Sequence, residues 1–165
     1  MKSIEQLASQ CREALKSKPG PAGREEVRDI LAETLRDPEF VATYLVDSNP
    51  DRKILHEDPE LGFCICAHHF KGTKVRQPHG HGPTWAIYGQ GRGETIMSDF
   101  ELVEPPAEGK RGRARRLDTY TLTPGTAHLY EIGKVHGLRR ESSAHLIRIE
   151  GMNLEKISRE DYEEI

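Results

Sequence analysis

Two histidines separated by one residue, His79 and His81, stand in the glycine-rich stretch RQPHGHGPTWAIYGQGRGET. On a strand, side chains two positions apart point the same way, so the two imidazoles would share a face. Imidazole nitrogens bind metals at about 2.0–2.1 Å, and two of them placed in this way can reach one ion. The pair therefore indicates a metal site, although paired histidines on a strand are also ordinary surface residues.

A second stretch, LTPGTAHLYEIGKVHGLRR, places His136 after a glycine, a strand and a turn glycine. This order resembles the second motif of the cupins, and HGH followed by the turn YGQGRGE resembles the first motif. The resemblance spans roughly residues 50–152. It implies a double-stranded β-helix that brings His79, His81 and His136 onto one ion. His128 is the alternative third ligand, but it begins its strand, whereas His136 ends the run as the cupin pattern requires.

The metal site is expected to contain no carboxylate. Many cupins carry a glutamate four or five residues after the second histidine, where this chain has Trp85 and Ala86. Three histidines together with HGHGPTW resemble the cysteine-dioxygenase-like branch, whose members bind iron(II) through three histidines. Iron(II) is therefore the expected metal. Zinc, nickel and manganese are alternatives, because the affinity order of metals does not itself select iron.

Further residues are compared with that branch. In the family an arginine on an early strand binds the substrate carboxylate, and Arg52 matches it in position; a solvated surface arginine is the alternative. SSAHLIRIE resembles the family's Ser-x-His-x-Tyr motif, which implies that Ser143 and His145 support the metal ligands. Ile147 replaces the tyrosine, so cysteine itself is not implied as the substrate. Trp85 is expected either to line the substrate pocket or to belong to the core.

Three uncharged imidazoles leave several coordination positions of an iron(II) ion open on one face. The resemblance therefore implies a dioxygenase whose partners are a small organic acid and O2. A thiol acid is one form of this substrate, because a coordinating thiol is deprotonated by the metal. The same site suits a metal-dependent isomerase or lyase, and also a cupin that binds a small ligand without turnover. Oxygen uptake would separate these alternatives.

The secondary structure that the sequence predicts changes from helices to strands near residue 49. Apolar residues at helical spacing predict three short helices, near residues 3–15, 27–35 and 38–46. Short alternating runs from Lys53 to Ile149 predict eight strands separated by tight turns. We therefore expect a mainly β barrel with N-terminal helices. Its parts are a helical segment at 1–48 packed on the barrel, the barrel at 49–155 and a tail at 156–165 that forms a helical turn or frays.

Two other motifs receive structural interpretations. GQGRG would need a following helix to bind a dinucleotide, but ETIMSDFELV has the pattern of a strand, so the glycines are expected in a hairpin turn. The basic cluster at residues 110–116 has no interleaved aromatic residues for base stacking and is expected to be a solvated, mobile loop.

Composition favours one domain with small-molecule rather than macromolecular partners. The chain has 165 residues, of which 35% are hydrophobic and 31% are charged, and its net charge is -3. This balance does not favour nucleic acid as a partner, and no apolar run approaches the roughly 20 residues of a membrane span. MKSIEQLASQ lacks the pattern of a signal peptide, and three cysteines do not suggest a disulfide scaffold, so we expect a cytoplasmic protein. The family resemblance is also compatible with a homodimer.

Overall fold

Three helices precede the strands in the computed structural model, which describes residues 1–165. They are α1 (Ile4–Ser17), α2 (Pro21–Thr34) and α3 (Pro38–Tyr44). Ser3 and Gln6 form a reciprocal capping box at the start of α1, and the Asp37 side chain accepts hydrogen bonds from the first turn of α3. The predicted N-terminal helices are therefore confirmed. None of the three is long and apolar enough to cross a membrane.

The rest of the chain forms ten strands in two five-stranded sheets. The strands are β1 (Arg52–Glu57), β2 (Cys64–Phe70), β3 (Lys74–His79), β4 (Ala86–Arg92), β5 (Thr95–Glu104), β6 (Gly112–Leu122), β7 (Ala127–Tyr130), β8 (Val135–Arg140), β9 (Ala144–Glu150) and β10 (Tyr162–Glu164). The first sheet has the order β1-β2-β9-β4-β7 and the second has the order β10-β6-β5-β8-β3. A short 3-10 helix, Leu154–Lys156, lies between β9 and β10.

The strand pairing defines a double-stranded β-helix. β3 pairs with β8, β4 pairs with β7 and β9, and β5 pairs with β8, all antiparallel. One half of the barrel chain therefore folds back along the other half, and the two halves wind together through both sheets. This is the mainly β architecture that the two histidine motifs predicted.

The three central strands of the first sheet, β2, β9 and β4, are buried on both faces, because successive side chains alternate between two layers. Its outer face packs against the helices in a cluster of 18 buried residues, which includes Leu7, Leu31 and Ile147. Its inner face contributes Tyr88 and Leu146 to a second cluster that joins the two sheets. The helices thus cover one side of the barrel and leave its interior to other residues.

The glycines of β4 have a different role from the one the sequence suggested. Gly89 and Gly91 lie within the strand rather than in the hairpin turn. A Cβ at Gly89 would lie 2.5 Å from Leu35 Cδ1 and 2.7 Å from Leu31 Cδ2, and one at Gly91 would overlap Leu45. These two glycines let the helices approach the sheet closely. Among the glycines of GQGRG, only Gly93, with φ of 69°, has the left-handed conformation of a turn glycine.

Two surface expectations were also wrong. The tail forms β10, which pairs in parallel with β6, instead of a helical turn. Most of the basic cluster belongs to β6 rather than to a mobile loop, because its arginines pair with acidic residues on neighbouring strands. The pairs are Arg113 with Glu104, Arg115 with Glu101 and Arg116 with Glu164.

Candidate metal centre

Three histidines meet inside the barrel. His79, His81 and His136 are each at most 3% exposed. Their ligand nitrogens all lie within 4.8 Å of one another, and the His136 ring centroid is 4.6 Å from each of the other two. One ion could contact all three rings after small side-chain rotations. The structure therefore brings together the three residues that the two motifs suggested.

Strand pairing and one loop position the three rings. His79 is the last residue of β3, and it lies directly opposite His136 of β8 in the antiparallel register. His81 follows in the loop after the strand, where Gly82 has a φ of 64°. The alternation of side chains along one strand, which we invoked for His79 and His81, is therefore not what directs His81 towards the centre.

The three imidazoles are held in the uncharged form that binds metals. Burial lowers the pKa of His79 to about 4 and that of His81 to about 2, and it lowers the pKa of His136 well below its usual value. The Nδ1 atom of His79 lies 3.0 Å from the Gln77 carbonyl oxygen, so Nδ1–H donates there and Nε2 remains free for an ion.

The donor set fits a transition metal. Buried His136 Nδ1 has no hydrogen-bond partner in the protein, so the ring is not fully satisfied by its surroundings. The cluster contains three nitrogen donors and no carboxylate. Imidazole donors suit iron, zinc, nickel and copper better than they suit magnesium or calcium.

Tyr88 adds a hydroxyl to this centre. Its oxygen lies 2.9 Å from His81 Nε2 and 3.3 Å from His136 Nε2. The sequence comparison noted a missing tyrosine at Ile147 but did not identify Tyr88 as a source of a hydroxyl. The signal was the alternation along this stretch: Trp85, just before β4, and Ile87 face outwards, so Tyr88 points into the barrel.

Arg52 already has a carboxylate partner within the chain. Its Nη1 and Nη2 atoms donate to the two carboxylate oxygens of Glu150 at 2.8 and 3.0 Å, and Nη2 also donates to Asn153 Oδ1 at 3.1 Å. Glu150 is fully buried. This bidentate pair occupies the planar fork of Arg52 that was expected to bind a substrate carboxylate.

Trp85 and His145 lie on the other side of the first sheet from the three histidines. Trp85 belongs to the apolar layer beneath the helices. His145 Nε2 lies 2.8 Å from Asp47 Oδ1, and its ring stacks on His69 with centroids 4.1 Å apart. On β9, His145 precedes inward-facing Leu146, so alternation turns it outwards. Trp85 thus has the core position that was the alternative to a pocket role, and His145 contacts Asp47 and His69 rather than the three histidines.

Ser143 and His128 also lie apart from the centre. The Ser143 hydroxyl accepts a hydrogen bond from the Gly72 backbone N–H at 3.0 Å and makes no hydrogen bond to the three histidines, so its support of the metal ligands stays a prediction. The His128 ring packs between Tyr120 and Tyr130, at centroid distances of 4.8 and 4.7 Å. His136, rather than His128, completes the cluster of three.

A cavity of about 250 Å³ adjoins the centre, and His79 contributes to its lining. Five arginines also line it, at positions 52, 76, 140, 148 and 159. Sequence reasoning missed four of them because they lie on β3, β8, β9 and the segment before β10, which only the register of the sheets brings together. One feature of the sequence could have indicated a buried charged site: Arg148 and Glu150 interrupt the otherwise apolar strand AHLIRIE.

No protein-family model matches this sequence, and no curated protein matches it. Solved structures are similar to it at low identity. A cupin superfamily protein from Desulfitobacterium hafniense is 12% identical, with a TM-score of 0.47 over 66% of this chain and 85% of that chain. A hydroquinone 1,2-dioxygenase complexed with Cd2+ and 4-hydroxybenzonitrile is 12% identical, with a TM-score of 0.49 over 63% of this chain and 66% of that chain. An oxalate oxidase is 14% identical, with a TM-score of 0.47 over 69% of this chain and 57% of that chain.

Proposed function

We propose that this protein is a metal-dependent dioxygenase that uses iron(II), held by His79, His81 and His136, to oxidise a small organic acid. The observation that carries the proposal is the convergence of three buried, uncharged imidazoles beside a cavity lined by arginines. Zinc, nickel and manganese remain the alternative metals for the same ligands.

The ligand set determines what the centre can accept. Three neutral donors do not offset the charge of a divalent ion, so anionic ligands are favoured in the remaining coordination positions. Iron(II) held there would supply the redox chemistry by which a coordinated acid reacts with O2. The chain's part is to fix the three rings, and the hydrogen bond from His79 to the Gln77 carbonyl does this for one of them.

The surrounding residues orient a substrate and exclude water. The Tyr88 hydroxyl is a proton donor within hydrogen-bond distance of two of the three imidazoles. His136 is fully buried, so bulk water has little access to the centre. A thiol acid suits this arrangement, because a thiolate would bind the metal while a carboxylate is held by arginine.

Oxygen uptake tests the proposal. The protein is loaded anaerobically with iron(II) and desalted, and small acids with and without a thiol are then added under air in an oxygen electrode. We expect at least one acid to be consumed together with O2. His81→Ala should abolish uptake, whereas His128→Ala, which alters a histidine outside the cluster, should retain it.

The other outcomes contradict the proposal in distinct ways. An acid that is converted without oxygen uptake would show a metal-dependent isomerase or lyase. Acids that bind but survive incubation would show a ligand-binding protein. Uptake that persists in His81→Ala would show that the three-histidine centre is not the site of the reaction.

A further inference from the structure

The cavity beside the metal centre carries a large excess of positive charge. Six cationic side chains line it: Arg52, Lys74, Arg76, Arg140, Arg148 and Arg159. The one acidic residue in the lining is Asp51. Glu150, which does not line the cavity, forms an ion pair with Arg52, and Asp161 lies 4.0 Å from Arg76. The remaining arginines, Arg140, Arg148 and Arg159, form no ion pair within 4.0 Å.

Two of these arginines are buried and lack hydrogen-bond partners. Arg140 is 3% exposed and Arg148 is 6% exposed. The Nε and Nη1 atoms of Arg140 and the Nε atom of Arg148 make no hydrogen bond, and neither does the Nε2 atom of His68, which lines the same cavity. Buried charges in proteins are normally paired, and leaving them unpaired is costly. The unpaired groups therefore favour the binding of an anion in this cavity.

Aromatic rings hold the two guanidinium groups in place. The Arg140 Cζ atom lies 3.7 Å from the centroid of the Phe70 ring, and the Arg148 Cζ atom lies 4.2 Å from the centroid of the Tyr88 ring. Stacking fixes each planar fork without using its N–H donors. The donors therefore remain available for a ligand.

We propose that this cavity binds a small acid carrying at least two negative charges, with one anionic group held by Arg140, Arg148 and Arg159. A ligand with a single negative charge would leave two of these three cations without compensation. The volume of about 250 Å³ lies below the range typical of drug-sized ligands, about 300–1,000 Å³. Dicarboxylates and phosphoryl or phosphonyl acids of a few carbon atoms fit both the charge and the size.

The position of the arginines directs the other end of such an acid towards the metal centre. Arg148 stacks on Tyr88, whose hydroxyl contacts His81 and His136. His79 lies in the wall of the same cavity. That the bound acid is the substrate rests on the proposed dioxygenase function, whereas its binding to the arginines does not.

The cations also repel one another in the absence of an anion. Burial, together with the charge of Arg148, lowers the pKa of Arg140 to about 10 and lowers the pKa of Arg159. Guanidinium groups stay protonated at neutral pH, so the cavity keeps its charge.

Calorimetric titration of the metal-free protein tests the proposal. The probes are succinate and inorganic phosphate as dianions and acetate as a monoanion, at pH 8 and low ionic strength. We expect the dianions to bind with dissociation constants at least about tenfold lower than that of acetate, and to weaken as salt is added. Equal affinity for acetate and succinate, or no heat with either dianion, would overturn the proposal.

Variants locate the binding site. Arg148→Gln and Arg140→Gln should each raise the dissociation constant of the dianions by about tenfold or more. Arg139→Gln is the matched control, because Arg139 is adjacent in sequence but lies outside this cavity and faces Glu141. If the buried substitutions prevent folding, Arg159→Gln, which alters a partly exposed residue, should still weaken binding measurably. Unchanged affinity in Arg159→Gln and Arg148→Gln would contradict the assignment.

His81→Ala separates this proposal from the proposed function. His81 does not line the cavity, so the variant should still bind dianions more tightly than acetate although it cannot assemble the metal site. In the wild type loaded with iron(II), dianion binding without any oxygen uptake would contradict the dioxygenase proposal alone. Oxygen uptake without dianion binding would contradict the cavity proposal alone.

Discussion

Arg52 and Arg148 line the same cavity, but only Arg52 has an acidic partner within the chain. The fork of Arg52 is closed by fully buried Glu150, at 2.8 and 3.0 Å. Arg148 lies on the face of Tyr88, and its Nε atom has no partner. The difference shows that Arg52 has a structural role, whereas Arg148 is free to bind a ligand. The positions of the two arginines in the sequence did not distinguish these roles.

The largest expected effect is a loss of stability when Arg52, which is paired with Glu150, is replaced. Arg52→Ala leaves the Glu150 carboxylate buried without its cation, so we expect the free energy of unfolding to fall by about 3–5 kcal/mol. Urea denaturation measures this change. Arg52→Ala combined with Glu150→Gln should recover part of the loss, because the uncompensated charge is removed. A loss below about 1 kcal/mol would mean that the pair is effectively exposed.

The second effect concerns Arg148, which has no acidic partner, and it should appear only when a ligand is present. Inorganic phosphate at about 100 times its dissociation constant should raise the free energy of unfolding by about 2.7 kcal/mol, because it binds only the folded protein. The same phosphate concentration should stabilise Arg148→Gln far less, and it should stabilise Arg139→Gln as much as wild type. Equal stabilisation of all three proteins would indicate general salt effects.

The third effect distinguishes His68 beside these arginines from His145 beside a carboxylate. Burial lowers the pKa of both, but Arg148 and Arg52 lower that of His68 further, whereas Asp47 opposes the shift of His145. As pH falls, His145 should therefore take up a proton before His68, which NMR titration of the imidazole resonances can follow. His68 titrating first would contradict this assignment of charges.

The same two shifts set the sign of the pH dependence of stability. Below the unfolded pKa of about 6.5, the unfolded chain binds protons that the folded histidines do not bind. As the pH is lowered below this value, the free energy of unfolding should therefore decrease, by up to about 1.4 kcal/mol per pH unit for each such histidine. Denaturation at a series of pH values checks the direction, and rising stability on acidification would contradict it.

The sequence predicted the framework better than the cavity. The helical spacing near residues 3–15, the short strand-like runs after residue 52 and the two histidine motifs are local patterns, and each corresponds to an element of the fold. The arginine cluster is not local, because it depends on which strands pair and in what register. The glycines of β4 show the same limit: their role is to admit Leu31, Leu35 and Leu45, and these residues are distant in sequence.

His145 and Trp85 lie away from the three histidines for the same physical reason. His145 and Trp85 have the residue types expected at the site, but each lies on the outward-facing set of its strand, under the helices or beside Asp47. A change of one position along a strand moves a side chain to the opposite face. Residue type and family spacing alone therefore did not identify which of these side chains reach the centre.

The most direct test of the central claim is the iron content of the wild type, His81→Ala and His145→Ala after anaerobic incubation with iron(II) and desalting. The two substitutions remove one histidine each, from the two histidine clusters of the chain. The three-histidine centre predicts about one iron per chain in the wild type and in His145→Ala, and its loss in His81→Ala. A full equivalent of iron in His81→Ala, or its loss in His145→Ala, would contradict the account.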